Sequence, residues 1–143
     1  MAVKDESVGR LLKQAEQALL RAKNAALKPI GLTLAQYMAL GELDRQPGIA
    51  AASLARACLV SPQAMMIVLK TMEQQGLISR VPHPRHANVL ELHITDVGRE
   101  ALHAARAAIG PVERRVYDAF TAKELAGLSA LLTRFMEAIE PAD

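Results

Sequence analysis

Apolar residues recur at three- and four-residue steps at Val8, Leu11, Leu12, Ala15, Ala18, Leu19, Ala22 and Ala26, which predicts one long helix over residues 5–27. Pro29 and Gly31 end it. Thr33 and Gln36 have the spacing of a capping box, so a second helix starts there and runs to about Arg45, with Leu34, Tyr37, Met38, Leu40 and Gly41 as its apolar stripe. Beyond the Pro47-Gly48 turn, a short helix over 51–58 leads into Leu59-Val60, a tight turn with an apolar plug. Ser61-Pro62 joins a favoured N-cap to a favoured first helical residue, and the helix it opens extends to Gln75. Gly76 then supplies a left-handed C-cap, and Leu77 folds back onto the last turn. In this helix Met65, Val68, Leu69 and Met72 form the stripe to be buried, and Pro62, Gln63, Met66, Ile67, Lys70 and Thr71 face away from it.

The period then changes from helical to alternating. Residues 78–81 read as a short strand, and residues 82–88, with Pro82 and Pro84, as a loop, because two such prolines do not fit a ladder. Leu90, Leu92 and Ile94 alternate with Val89, Glu91 and His93 as a half-buried strand, completing a hairpin. Thr95-Asp96 caps a helix over 96–108, and Gly110-Pro111 predicts a kink or break before helix resumes over 112–120. Thr121 and Glu124 form a second capping box. The last helix carries Leu125, Leu128, Leu132, Phe135 and Ile139 in a 3-4-3-4 seam. The expected class is mainly α with a small β-hairpin wing: a winged helix-turn-helix flanked by N- and C-terminal helices.

Composition agrees with that class. The 143 residues are 51% apolar but only 3% aromatic, and 26 Ala and 20 Leu, both strong helix formers, supply most of the apolar mass. The length fits one domain, and the single cysteine excludes a disulfide scaffold. No apolar run is long enough to span a membrane and the N-terminus lacks the apolar core of a signal peptide, so a cytoplasmic location is expected. The net charge of +2 is unevenly divided. Residues 45–90 carry Arg45, Arg56, Lys70, Arg80 and Arg85 against Glu73 and no other acid, a local +4 in a chain that is otherwise −2. A basic segment that coincides with the helix-turn-helix is the footprint expected for a polyanion.

Chemistry concentrates between Ser53 and Gly76. An α-helix fits the DNA major groove, where Gln63 can bond an adenine edge, Met66 and Ile67 can touch thymine methyls and Lys70 can reach a phosphate. Leu-Thr-Leu-Ala-Gln-Tyr at 32–37, Ser-Leu-Ala at 53–55, Val-Ser at 60–61, Met-Glu-Gln-Gln-Gly-Leu-Ile-Ser-Arg at 72–80 and Ile-Thr-Asp-Val-Gly at 94–98 occur in order and at the right spacing. With them the chain resembles the multiple-antibiotic-resistance repressor (MarR) family over about residues 8 to 139. It departs from the family at the wing, where an acidic residue and an arginine pair are replaced by His86, Ala87 and Asn88, with Arg85 the nearest substitute, and at Ile67, where a basic or polar residue is usual.

The resemblance implies a single MarR-type domain over 1–143, with a DNA-binding core at 33–95 and dimerisation helices at 5–28 and 96–140. The DNA-binding residues expected on it are Ser53, Ser61, Pro62, Gln63, Ala64, Met66, Ile67, Lys70, Thr71, Arg80, His83, Arg85, His86 and Asn88. A small aromatic acid or phenol is the implied effector, with Arg10, Lys13, Gln14, Tyr37, Met38 and Arg80 as its candidate contacts; these cations have a plain alternative as solvated or phosphate-binding side chains. Leu11, Leu125, Leu128, Leu132, Phe135 and Ile139 are the candidate dimer contacts, since the first helix alone is roughly 35 Å long and a small winged domain cannot cover it. A two-fold dimer would place two recognition helices about one DNA turn apart, matching a palindromic operator.

Other chemistry is not expected. Cys58, beside the turn, reads as a small buried hydrophobe rather than a redox sensor. His83, His86 and His93 have no cysteine partner and no acid near them but Glu91, so no metal and no cofactor are expected. Asp44 and Arg45 read as part of a solvated helix face. No catalytic constellation is present, and an enzyme is not expected. The expected function is a homodimeric, ligand-responsive, sequence-specific DNA-binding regulator acting as a repressor. The alternative is a winged-helix protein-interaction module without specific DNA binding.

Overall fold

The computed structural model describes residues 5–86 and 89–140. The elements are α1 (Asp5–Leu27), one 3-10 turn (Lys28–Ile30), α2 (Leu34–Arg45), α3 (Ala51–Ala57), α4 (Pro62–Gln74), β1 (Ile78–Pro82), β2 (Leu90–Ile94), α5 (Asp96–Asp118) and α6 (Ala122–Ile139). Element order and class are as expected: helices around a two-stranded antiparallel hairpin. Packing divides the chain between Ile109 and Gly110 into two compact units. Among the described residues, no single helix is long and apolar enough to cross a membrane.

The first unit is built on one core. Leu40 and Leu43 of α2, Leu54 of α3, Met65, Leu69 and Met72 of α4, Leu92 and Ile94 of β2, and Leu102 and Ile109 of α5 are all buried in it. Removing each such side chain from water contributes about 1.5–3 kcal/mol. α1 reaches this core at its C-terminal end, where Leu27 is fully buried; Val8, Leu11 and Leu19 of its apolar stripe stay exposed.

The buried face of α2 differs from the expected stripe. It consists of Gln36, Ala39, Leu40 and Leu43, while Tyr37 is half-buried and Met38 exposed. Gln36 sets this rotation. Its Oε1 accepts from the Thr33 N–H at 3.0 Å, its own N–H donates to Thr33 Oγ1 at 3.1 Å, and its Nε2 donates to Gln75 Oε1 at 3.2 Å. A buried amide whose donor and acceptor are both engaged escapes most of its desolvation penalty, so the core admits it, while Tyr37 packs at the core's edge and Met38 is exposed.

Capping fixes both ends of α4. Ser61 Oγ accepts from the Ala64 N–H at 3.1 Å. At the other end Gly76 takes φ 74° and the Leu77 N–H donates to Met72 O at 2.9 Å, which folds Leu77 into the core. The α3–α4 turn departs from expectation: Val60 packs against the core, but Leu59 is 89% exposed and holds φ 56°. A left-handed leucine is strained by roughly 1–2 kcal/mol. Leu59→Gly is therefore expected to raise the denaturant midpoint, with a net gain of about 0.5–1 kcal/mol after the extra flexibility of the unfolded glycine chain. A lower midpoint would show that Leu59 makes contacts that offset its strain.

The hairpin register runs from Ile78↔Ile94 to Pro82↔Leu90. Pro82 thus closes the ladder instead of lying in the loop, at an end position where its missing N–H is tolerated. Leu92 and Ile94 are buried as their alternation predicts, but Leu90 is exposed because the distal end of the hairpin extends past the core. Beyond β2, Thr95 joins α4 to α5. Its Oγ1 donates to Gly76 O at 2.6 Å and accepts from the Gly98 N–H at 3.0 Å, and its N–H donates to Leu77 O at 3.1 Å.

α5 continues through Pro111, so the break expected at Gly110-Pro111 does not occur. Pro111 removes a hydrogen bond to the carbonyl of Ala107, and both residues are exposed, which leaves that carbonyl to water. In the second unit Thr121 and Glu124 form the predicted capping box of α6, with bonds of 3.1 and 3.0 Å. No residue of α6 is buried: Leu125 is half-buried, and Leu128, Leu132, Phe135 and Ile139 are exposed.

Candidate nucleic-acid interface and ligand pocket

The capped ends of α4 hold one face of the helix outward. Pro62, Gln63, Ala64, Met66, Ile67, Lys70 and Thr71 are all exposed on it, along with the N-cap Ser61, while Met65, Leu69 and Met72 anchor the opposite side. Thr71 Oγ1 donates back to Ile67 O at 3.2 Å, so its hydroxyl lies against its own helix. Ser53 of α3 is half-buried, and its Oγ accepts from Arg56 Nη2 at 3.1 Å. Among the described residues, Lys70 and Arg85 enter no ion pair, which leaves both charges available to an external anion.

The wing carries charged and imidazole side chains beside the exposed Val81, Val89 and Leu90, and it is partly tied. Arg80 at its root is half-buried, with Nε 2.8 Å from Glu73 Oε2 of α4. That contact misses hydrogen-bond geometry, since Nε has no acceptor in line, so it acts as a charge contact bracing the wing against α4. Glu91 lies between two imidazoles, 3.7 Å from His83 Nε2 and 3.1 Å from His93 Nε2. His83 Nδ1 accepts from the Arg85 N–H at 3.0 Å, which orders the start of the loop and stations the Arg85 backbone. His86 stacks near His83 with ring centroids 5.1 Å apart. Asn88 lies outside the described residues. Thus the interface residues expected on α4 share one face, Arg80, His83, Arg85 and His86 follow along the wing, and Ser53 sits on the neighbouring helix.

The candidate effector contacts do not gather in one place within the chain. Tyr37 and Met38 line a pocket of about 280 Å³ with Gly41, Glu42, Arg45, Ala57, Cys58, Leu102 and Arg106. Arg10, Lys13 and Gln14 lie instead along α1 with Gln17 and Arg21, beside a cleft of about 340 Å³. Arg80 is at the wing root with Glu73. The cations at the Tyr37 pocket are Arg45 and Arg106. Arg45 pairs with Glu42 of the same helix, and Arg106 lies 3.5 Å from Asp44, which also faces Arg99 at 4.0 Å. Arg45 therefore borders a pocket instead of belonging only to a solvated face. Its spacing from Tyr37, Met38 and Gly41 on α2 is the signal that could have placed it there. Arg106 had no local signal, because its place depends on α5 packing beside α2.

Cys58 also lines this pocket but is buried, as expected. Burial pushes its thiol pKa above the usual value, and the nearby Arg45 guanidinium only partly opposes this. The thiol therefore stays protonated and unreactive at neutral pH. In the native protein it is expected to react with Ellman's reagent only after denaturation; rapid native-state reaction would contradict this burial.

These elements match known proteins along most of the chain. The sequence profile of the MarR family matches residues 30–87, which span α2 to the wing. The HTH-type transcriptional repressor Rv2887 of Mycobacterium tuberculosis is 34% identical over 120 residues, 84% of this chain and 86% of the repressor. A crystal structure of the M. tuberculosis MarR family protein Rv2887 in complex with salicylic acid superposes with TM-score 0.70 at 32% identity, covering 89% of this chain and 94% of that one. The chain belongs to the MarR family. Members of the MarR family are transcriptional regulators rather than enzymes. A mutant of Escherichia coli MarR complexed with operator DNA has the same fold, with TM-score 0.85 at 23% identity over 95% of this chain and 99% of its own.

Proposed function

We propose that this MarR family member is a homodimeric repressor in the cytoplasm that reads operator DNA with α4 and the wing and is released by a small aromatic acid. The carrying observation is the outward face of α4, capped at both ends and anchored by three buried side chains, with Lys70 unpaired at its edge. In a major groove Gln63 would meet base edges and Lys70 a phosphate, while Arg85 would extend the contact along the wing. The exposed apolar residues of α1 and α6 support pairing with a second copy, which removes them from water.

Anisotropy titrations with the DNA upstream of the coding sequence test this reading. Lys70→Ala is expected to weaken binding to all duplexes alike and to lower the salt slope by about one unit, whereas Gln63→Ala is expected to change which sequence is preferred. If neither substitution alters binding, α4 does not read DNA.

The ligand site supported best is the Tyr37–Arg106 pocket. Its volume of about 280 Å³ is just below the roughly 300–1,000 Å³ usual for ligand sites, which suits a single aromatic ring. Arg45 and Arg106 would offer guanidinium groups to a carboxylate in competition with Glu42 and Asp44. Salicylate is expected to weaken DNA binding in the wild type and to lose at least about tenfold in potency with Arg106→Ala, a cost in line with removing one charged hydrogen-bond partner. Equal potency on the two proteins would exclude this pocket as the ligand site.

The exposed Ile67 and Met66 favour one second reading, a protein-docking module. On that reading, DNA binding would show no preference for the upstream sequence over a scrambled duplex.

A further inference from the structure

In a helix lying in the major groove, the first turns carry the side chains that reach base edges. Over its first two turns α4 presents Pro62, Gln63, Ala64, Met66 and Ile67 to solvent. Met66 is 49% exposed and Ile67 70%. Neither belongs to the core, whereas Met65 between Ala64 and Met66 is buried in it. The capped ends of α4 fix which residues point outward, so these two apolar side chains are held on the reading face by the same contacts that build the fold.

The hydrogen-bonding capacity of this face is small. Ser61 Oγ accepts from the Ala64 N–H, which leaves its O–H as one further donor. Gln63 is the one amide of the first two turns, Gln74 standing exposed in the last, and its paired donor and acceptor match the N6 and N7 edge of adenine. No arginine or lysine precedes Lys70 on the helix, although a bidentate cation at O6 and N7 is the commonest way to read guanine. The apolar feature that a base pair offers in the major groove is the C5-methyl of thymine. Gln63 and Ile67 are one turn apart on the same row of the helix, about 6 Å along its axis, so their targets lie within one or two base pairs of each other.

Resting on the DNA-reading role proposed above, we infer that each half-site shows A·T pairs to α4, selected mainly by thymine C5-methyl groups packed on Ile67 and Met66. This helix makes no direct contact to guanine. Shape complementarity to a methyl group, rather than a cation fork, is what sets operator preference at these positions.

Deoxyuridine provides the test, because it pairs as thymine does and lacks only the C5-methyl. Each thymine of the best-binding upstream duplex is replaced singly and affinity is measured by anisotropy at fixed moderate salt. At one or two thymines in each half-site, binding is expected to weaken about fourfold, the value of one buried methyl, with no comparable effect elsewhere. Ile67→Ala, a substitution at an exposed helical position, is expected to abolish the sensitivity at one of those thymines and leave the others. Replacing the guanines elsewhere in the same half-sites by 7-deazaguanine removes the N7 acceptor and is expected to leave affinity unchanged.

Specific binding that is indifferent to every deoxyuridine overturns this inference and spares the DNA-reading role. So does an Ile67→Ala protein with unaltered deoxyuridine sensitivity, or a dominant loss from 7-deazaguanine. Absence of any sequence preference overturns both.

Discussion

Gly98→Ala is expected to destabilise the protein by about 3 kcal/mol and to lower its melting temperature by roughly 10 °C. A Cβ at this position would collide with the backbone carbonyl of Leu77 and stand 2.8 Å from Ile94 Cγ1. The carbonyl has little freedom to retreat. It accepts from the Thr95 N–H at 3.1 Å, and the Leu77 N–H is engaged at 2.9 Å by Met72 O at the end of α4. The clash would therefore push on the C-terminal end of the recognition helix as well as on the start of β1. DNA affinity should fall with stability even at temperatures where the variant remains folded. Gly41→Ala is the control: a methyl group added there meets no atom within 4 Å, and a helical Gly-to-Ala change gains up to about 1 kcal/mol. Thermal melts of the two variants should move in opposite directions, and a Gly98→Ala protein as stable as wild type would refute the close approach of α5 to Leu77.

Leu132→Glu combined with Phe135→Glu is expected to give a monomer that retains its helicity and loses DNA affinity by a factor of about 10² or more. Both residues are 37% exposed within the chain, in a row with Leu128 at 43% and Ile139 at 63%. These four residues, spaced 4-3-4, present an apolar strip that stays exposed within the chain. Glutamate is a good helix former, so α6 itself should persist while like charges face each other across a symmetric contact. Light scattering should then report the mass of one chain rather than two. The loss of affinity follows because a palindromic site binds two linked recognition helices far more strongly than it binds one. A double variant that is still dimeric would shift the interface elsewhere.

The parts legible in the sequence were those with local causes. Thr33 with Gln36, Ser61-Pro62, Gly76 and Thr121 with Glu124 each satisfy backbone groups within a few residues, and each caps its helix as its spacing indicates. The alternation at Leu92 and Ile94 was readable for the same reason. Long-range contacts account for the differences. The hydrogen bond from Gln36 to Gln75 spans 39 positions and holds Gln36 in the core, with Tyr37 packed half-buried at its edge and Met38 exposed. The ion pair of Arg106 with Asp44 spans 62 and brings α5 to the pocket. The intrinsic helix penalty of Pro111 predicts a break, but solvent access at Ala107 makes that penalty bearable. The outward face of α4 was recoverable because amphipathic spacing fixes it. The effector contacts scattered because a pocket between α2, α3 and α5 is a property of packing.

The most direct measurement of DNA reading by α4 and the wing is a salt series of anisotropy titrations comparing the chain's own upstream DNA with a scrambled duplex of equal composition. The upstream duplex is expected to bind at least about 10³-fold tighter at moderate salt, with log affinity falling linearly as log salt rises. Equal affinity for the two duplexes at that salt would contradict a sequence-specific regulator.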